Sequence, residues 1–278
     1  MGYKTIFTVV MGDPGESTLL QGAVAMAEAH GAHLDILSLG VDPSTPGYYY
    51  AGANAMIEQQ SLDRARSDAV DAGERVTAFM EGRAVRWTGM TAVAQIGSIS
   101  QIVGAQARFA DLVVLPKPYG ENRSTADEAV LEAALFSAHV PVLVLPEGSA
   151  VSQPRRVVIG WNESAEAMGA IRAALPMIVA DDVADIVIVD PPRHSADRSD
   201  PGGFLSQMLV RHGARPEVSV IAGTMPRVAD VLARHCLDRN ADLMVMGAYG
   251  HSRFREALLG GATRDALERA TLPVLMYH

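Results

Sequence analysis

Uninterrupted apolar runs of strand length alternate along the chain with alanine-rich segments whose apolar residues recur at helical spacing. Residues 186–189 form one such run, and continuous apolar runs are typical of strands buried on both faces of a parallel sheet. Between 227 and 240, apolar residues recur three and four positions apart, which predicts a helix followed by a strand at 241–246. The pattern therefore predicts an α/β fold with helices packed on a parallel sheet.

The second half of the chain repeats the pattern of the first. The segment ADLVVL at 110–115 returns as ADLMVM at 241–246, 131 residues later. The segment VPVLV at 140–144 returns as LPVLM at 272–276, 132 residues later. A repeat of this length indicates two copies of one domain in tandem.

The two copies differ in length. The apolar run that precedes Asp13 matches the run that precedes Asn162 at a separation of 149 residues, so the first copy is about 18 residues longer in its middle. The surplus falls around 43–55 and the helix that follows. We expect the domains at 1–147 and 154–278, with a short linker that contains Gly, Ser and Pro between them.

Length and charge agree with two ordinary domains and exclude several classes of protein. The 278 residues carry a net charge of -9 and no Lys/Arg run, which argues against nucleic acid as a partner. The apolar runs are too short to span a membrane. The single cysteine, Cys236, cannot form an internal disulfide, and the first residues do not have the pattern of a signal peptide. These features predict a cytoplasmic protein, with Cys236 as a packing residue.

A glycine-rich loop follows the predicted strand at 241–246. The motif GAYG occupies 247–250, and GGAT at 260–263 opens the next helix after nine intervening residues. Glycines let a backbone approach a phosphate closely, while the free N–H groups and dipole of a helix N-terminus favour negative charge. The alternative is that these glycines only form turns.

The residues after Gly250 add candidate phosphate contacts but no catalytic group. His251, Ser252 and Arg253 lie where they could reach a phosphate, although an ordinary surface loop explains them better. We find no general base near the loop and no close pairing of histidines as in metal sites. The sequence thus predicts no catalytic residue and no metal site, and at most slow ATP hydrolysis.

The spacing G-x-x-G, nine residues, G-S/T after a fourth strand, with Asp after the first strand, resembles the universal stress protein family. The resemblance implies two tandem domains of the adenine nucleotide alpha hydrolase-like fold, each a five-stranded parallel sheet with helices on both faces. It also implies an internal pseudo-dimer paired through the last strands, and a bound adenine nucleotide (ATP, ADP or AMP), with or without a divalent cation. Carried over by position, the nucleotide-binding residues are Gly160, Trp161, Asn162, Ile188, Met246, Gly247, Gly250, Gly260, Gly261, Ala262 and Thr263.

The resemblance assigns these residues to parts of the nucleotide. Residues 160–162 with Ile188 would frame the adenine, Met246 and Gly247 would lie near the ribose, and Gly250 with 260–263 would surround the phosphates. Two departures from the family pattern lie in this copy. Gly261 stands where the motif has Ser or Thr, which removes a hydroxyl contact, and Asn162 replaces the usual Asp, which changes the hydrogen-bonding pattern offered to the base.

The first copy keeps Asp13 but lacks the glycine loop. Pro116 and Pro118 stand where the glycines belong, and prolines have no N–H to donate. We expect this copy to bind no nucleotide in the family's usual manner. Lys117 and Arg123 are expected to be solvated surface charges, the alternative being contact with an anion.

These observations favour a regulatory stress-response protein that binds an adenine nucleotide in its second domain. The alternatives are a protein-interaction module without a ligand, and a sensor of another small ligand in the first domain. Edge strands would allow a homodimer in addition to internal pairing of the domains. The protein partner is not indicated by the sequence.

Overall fold

The computed structural model describes residues 2–12, 16–44, 53–149, 153–178, 182–191, 200–248 and 261–278. The chain forms two compact units, one of Tyr3–Val140 and the other built on Pro141–His278. The compact units divide the chain after Val140, a few residues before the predicted boundary at 147. The predicted domains at 1–147 and 154–278 stay a prediction.

The unit Tyr3–Val140 is a parallel sheet with the strand order β3-β2-β1-β4. Its elements are β1 (Thr5–Val10), α1 (Glu16–His30), β2 (His33–Asp42), α2 (Ala53–Met80), β3 (Trp87–Gln95), a 3-10 turn (Ile96–Ser98), α3 (Ile99–Ala107), β4 (Leu112–Pro116), α4 (Thr125–Glu132) and a π-helical turn (Ala133–Ser137).

The unit Pro141–His278 holds six strands in the order β5-β10-β9-β6-β7-β8. Five of them are parallel, and β5, the last strand of the first sequence copy, runs antiparallel to β10. Its elements are β5 (Val142–Leu145), β6 (Arg156–Gly160), α5 (Ala165–Ala174), β7 (Val183–Val189), α6 (Gly203–Arg211), β8 (Arg215–Ile221), α7 (Val228–Asp238), β9 (Leu243–Gly247), α8 (Gly261–Arg269) and β10 (Val274–Tyr277). The predicted α/β fold with parallel strands and helices is confirmed.

Central strands are buried on both faces, as their continuous apolar runs predict. In β2, Leu34 and Ile36 point to one face while Leu37 and Leu39 point to the other, and all four are buried. The corresponding run in β7 is buried in the same way. Helices therefore cover both faces of each sheet.

The extra length of the first copy lies largely in helix α2. This helix has 28 residues, whereas α6 at the matching place in the second copy has nine. Helix α2 packs very closely on β2 at Gly40, where a Cβ atom would overlap the carbonyl oxygen of Ala65 and lie 3.0 Å from the Cβ of Ala69. Glycine at position 40 thus sets the distance between helix and sheet.

In both copies, an aspartate that precedes one strand accepts two backbone hydrogen bonds from the start of the neighbouring strand. One carboxylate oxygen of Asp111 accepts hydrogen bonds from the backbone N–H groups of Lys4 (2.6 Å) and Thr5 (3.0 Å). In the second copy Asp242 accepts from the backbone N–H groups of Arg155 (2.8 Å) and Arg156 (3.0 Å). The sequence repeat at 110–115 and 241–246 is therefore also a repeat of hydrogen bonding.

We expect Gly40→Ala to destabilise the first unit by about 3 kcal/mol, because the added methyl group must push the α2 backbone away from β2. Urea unfolding followed by circular dichroism measures the change. Gly97→Ala is the matched control, since a Cβ at Gly97 meets nothing within 4 Å. Equal stability of the two variants would contradict the close approach of α2.

Candidate functional site

Strand β6 is the point where the strand order of the second unit reverses. The chain leads from β6 to β7 and β8 on one side, and then crosses to β9 on the other side of β6. Gly160 at the end of β6 lies in register beside Met246 in β9. Ligands of open α/β sheets bind beyond the carboxyl ends of strands at such a reversal. The structure thus brings together two of the predicted segments, 160–162 and 246–247.

Helix α8 follows β9 and supplies the third predicted segment. Gly261 and Ala262 lie in its first turn, where backbone N–H groups have no partner within the helix. Thr263 is buried in the same turn. The predicted contacts Gly250, His251, Ser252, Arg253 and Gly260 lie outside the described residues. Of the glycine loop, the structure therefore describes the two ends.

The side-chain amide of Asn162 uses its oxygen, one of its two polar atoms, in a hydrogen bond within the turn after β6. Its side-chain oxygen accepts a hydrogen bond from the backbone N–H of Ser164 at 3.2 Å. Ser164 in turn caps helix α5, since its hydroxyl oxygen accepts from the N–H of Ala167 at 3.1 Å. The neighbouring Trp161 is half-buried, and its backbone N–H donates to the carbonyl of Val187 at 2.9 Å. The turn is thus held by hydrogen bonds on both sides of the exposed Asn162 side chain.

At two of the predicted site glycines, neighbouring atoms leave little room for a side chain. A Cβ at Gly247 would lie 2.6 Å from the backbone nitrogen of Ala167, and one at Gly160 would lie 3.0 Å from a methyl group of Leu232. Ile188 and Met246 are buried and form part of the core. Of the predicted base-framing set, Asn162 is exposed, while Gly160 and Trp161 are half-buried.

Charged side chains beside α8 were missed by the sequence reasoning. Arg227, which precedes α7, donates through Nη1 to Asp265 (2.7 Å) and through Nε to Asp230 (3.1 Å). Arg269 donates to the other oxygen of Asp230 at 2.7 Å. The hydrogen bond to Asp230 raises the pKa of the Arg227 guanidinium above its ordinary value. The available signals were the spacing of four residues between Asp265 and Arg269 and of three between Arg227 and Asp230, which places each pair on one helix face.

The C-terminal half of α7 is anchored to a buried carboxylate. Asp185 in β7 accepts hydrogen bonds from Ser219 (2.8 Å), His235 (2.7 Å) and Arg239 (2.9 Å). Burial acts to raise the pKa of Asp185, but the hydrogen bonds from His235, Arg239 and Ser219 outweigh it and lower the pKa. Asp185 is therefore ionised and fully paired inside the domain.

Cys236 lies beside this cluster and is buried, as the sequence predicts for a packing residue. Burial, together with the charge of Asp185, raises the pKa of its thiol to about 12. The thiolate form is the reactive one, so Cys236 is an inert packing group at physiological pH.

Residues 154–278 match the family model described as the universal stress protein family. This part of the chain is a universal stress protein domain. It contains the β6–β9 reversal, the Asn162 turn and helix α8 described above.

Individual relatives agree with this family. The universal stress protein Slr1230 of Synechocystis sp. is 27% identical over 172 residues, which cover 60% of this chain and 58% of the relative. A crystal structure of a universal stress protein from Archaeoglobus fulgidus matches with a TM-score of 0.73 and 14% identity, covering 98% of this chain and 94% of that one. A protein of unknown function from Pseudomonas aeruginosa matches with a TM-score of 0.53 and 14% identity, covering 98% and 92%. At these identities the two structures show the fold.

The first copy has the same reversal in its sheet, at β1 between β2 and β4, and side chains of the chain itself lie at the carboxyl edge. At Gly12, just after β1, the guanidinium of Arg75 lies 2.8 Å from where a Cβ would be. At the end of β2, Asp42 is 3% exposed and accepts hydrogen bonds from the backbone N–H and hydroxyl of Ser44 and the hydroxyl of Ser61. Asp42 thus differs from Asp190 at the end of β7 in the universal stress protein domain, which is exposed.

Side chains of the chain itself cap the N-terminus of α4, the helix that follows β4. Asp127 accepts hydrogen bonds from the backbone N–H (2.8 Å) and hydroxyl (2.9 Å) of Ser124, which caps α4. Arg123 donates to the other oxygen of Asp127 at 3.3 Å. The side chain of Arg123 is 6% exposed, so the prediction that it is a solvated surface charge was wrong. Its ion pair with Asp127, four residues later, holds the side chain in the protein.

Among the described residues, His, Cys, Asp and Glu side chains form no group of three or more that could hold a metal ion. The described helices also include none with the length and apolar character needed to cross a membrane.

We expect Asp42→Asn to lower stability most near neutral pH. The hydrogen bonds from Ser61 and Ser44 lower the pKa of Asp42 from 3.8 to about 2. A lowered pKa means that the ionised carboxylate stabilises the fold above pH 3.8, and that this stabilisation is lost as the pH falls to about 2. Thermal unfolding of wild type and variant across this range should show two midpoints that converge in acid. Asp63→Asn, an exposed position on α2, is the control; a constant gap for Asp42→Asn would refute the assignment.

Proposed function

We propose that the universal stress protein domain at 154–278 binds an adenine nucleotide at the carboxyl edge between β6 and β9, and that binding is regulatory. The observation that carries the proposal is the meeting of three segments at one edge of the sheet. The ends of β6 and β9 are neighbours in register, and the chain after β9 leads into the N-terminus of α8. Family membership supports the same ligand class.

The proposed contacts divide between the two ends of the nucleotide. The first turn of α8 offers backbone N–H donors and the positive end of the helix dipole to the phosphates. Gly261 contributes an N–H but no hydroxyl, so the phosphate site is weaker by one hydrogen bond than a site with Ser or Thr. The half-buried ring of Trp161 and the amide of Asn162 are proposed to contact the base.

We propose one nucleotide site per chain. In the first copy Ser124 already caps the N-terminus of α4, Asp127 accepts the hydrogen bonds from Ser124, and Arg123 neutralises Asp127. A phosphate would have to displace this buried ion pair, which leaves uncompensated charge in the protein. Helix α2 also lies directly on β2 at Gly40. The first copy is therefore proposed to support the second rather than to bind a nucleotide.

A regulatory role fits the chemistry beside α8 better than an efficient hydrolase. Asp265 and Asp230, the described carboxylates that pair with arginines there, are neutralised by Arg227 and Arg269. A paired carboxylate is a poor general base and a poor ligand for a catalytic metal ion. We propose slow ATP hydrolysis at most, in a cytoplasmic protein whose partner choice responds to nucleotide occupancy.

Nucleotide release and calorimetry test the proposal. Acid-denatured protein is analysed for co-purified nucleotide, and ATP, ADP and AMP are titrated into the wild type. We expect Thr263→Val to weaken ATP binding about fivefold through loss of one hydrogen bond, and Gly261→Ser to tighten it by a similar factor. A general loss of stability cannot produce the second result.

Thr125→Val, at the start of α4 in the first copy, is the matched control and should leave binding unchanged. A wild type that binds none of the three nucleotides would overturn the proposal and favour a ligand-free interaction module. Binding that responds to Thr125→Val but to neither variant of α8 would place the ligand in the first copy.

A further inference from the structure

Helix α8 is too short to hold its own geometry. It has nine residues and begins with glycine, and isolated helices of this length are marginal in water. Its buried side chains include Thr263, Ala266 and Leu267. Apolar contacts of this kind hold a helix against the core but are not directional, so the exact placement of its N-terminus depends on other contacts.

A chain of ion pairs joins α8 to the start of α7. It runs from Asp265 to Arg227, then to Asp230, and ends at Arg269, with one hydrogen bond at each step of 2.7, 3.1 and 2.7 Å. Asp265 and Arg269 lie one turn apart on α8, and Arg227 and Asp230 lie three residues apart at the start of α7. We call these four residues the interhelical clamp.

The clamp is better placed than a surface ion pair to fix geometry. Its two aspartates are 15% and 16% exposed, so their charges are only partly screened by water. Each oxygen of Asp230 binds a different arginine, which fixes the orientation of the carboxylate as well as its distance. Directional bonds at two successive turns resist both rotation and sliding of α8.

The clamp also removes an unfavourable charge. Asp265 lies one helical turn after Gly261, so its bare carboxylate would repel an anion held at the helix N-terminus. The bond from Arg227 cancels this charge at 2.7 Å. Arg227 therefore acts on the N-terminus of α8 both through position and through charge.

We propose that the interhelical clamp is a positioning element of the phosphate site, which sets nucleotide affinity by fixing α8 against α7. The inference rests on the proposed function, since it concerns the same site. None of the four residues is proposed to touch the nucleotide. The clamp acts by placing the N–H donors of the first turn of α8.

Calorimetric titration of ATP into the full chain tests the clamp. Arg227→Gln and Asp265→Asn should each weaken binding about tenfold, because each frees α8. The double variant Arg227→Gln with Asp265→Asn should weaken binding no further than Arg227→Gln alone, because both changes break the same bond. Arg234→Gln is the matched control, because Arg234 pairs with Asp238 on the exposed side of the same helix.

The sign of the Asp265→Asn effect separates positioning from simple electrostatics. If the clamp acted only through its charges, removal of a carboxylate near the phosphates would tighten ATP binding, and that result overturns the inference. ATP binding that is equal in the wild type and all clamp variants overturns it as well. A wild type that binds no ATP overturns the proposed function together with this inference, so the two failures are distinguishable.

Hydrogen exchange of the nucleotide-free protein adds a readout independent of binding. Amides of 261–269 should exchange faster in Arg227→Gln than in the wild type. Their exchange rates in Arg234→Gln should equal those of the wild type. Thermal unfolding of each variant confirms that the domain is folded. Unaltered exchange of α8 in both clamp variants contradicts the proposal whatever the affinities are.

Discussion

The carboxylate of Asp242 fixes the two strands on which the candidate site depends. Strands β6 and β9 are far apart in sequence, and their pairing must be specified by contacts between them. Asp242 precedes β9 and accepts the backbone N–H groups of Arg155 and Arg156 at the start of β6, which sets the register at the amino ends. Because the strands are parallel and regular, that register places Gly160 beside Met246 at the carboxyl ends. Asp111 performs the same task for β1 and β4.

The two copies share this scaffold and differ in what lies at the carboxyl edge. In the first copy Asp42, Arg75 and Asp127 place charged groups of the chain itself at the positions beyond the strands, each with a hydrogen bond or close contact. In the second copy the Asn162 turn leaves its side chain exposed, and a nine-residue helix replaces the long α2. Among the described residues, the two domains thus differ in the polar groups that lie at this edge.

Sequence alone predicts the regular parts of this molecule well. The repeat and the helix at 227–240 correspond to observed elements, with α7 at Val228–Asp238, because periodicity and turn residues are local signals. The pairing of Arg123 with Asp127 could have been anticipated from their spacing of four residues. The links from Arg227 to Asp265 and from Ser61 to Asp42 could not, since they join residues that only tertiary packing brings together. The contacts predicted within 249–260 stay predictions.

Helix α7 connects the candidate site to the interior of its domain, because charged hydrogen bonds hold both of its ends. Arg227 and Asp230 hold α8 at one end, while His235 and Arg239 hold the buried Asp185 of β7 near the other. A displacement of α8 therefore acts on a helix whose opposite end is fixed by charged hydrogen bonds.

The corresponding helices of the first copy are joined differently. Gly104 of α3 packs so closely on the final helical turn that a Cβ would lie 2.7 Å from that of Ser137, and the segment Ile99–Ala107 carries no charged residue. Close packing of small residues holds the helices of the first copy by shape, whereas the interhelical clamp holds α8 by directional charged bonds. The domain proposed to bind a nucleotide is thus the one whose site helix is held in place by charged bonds.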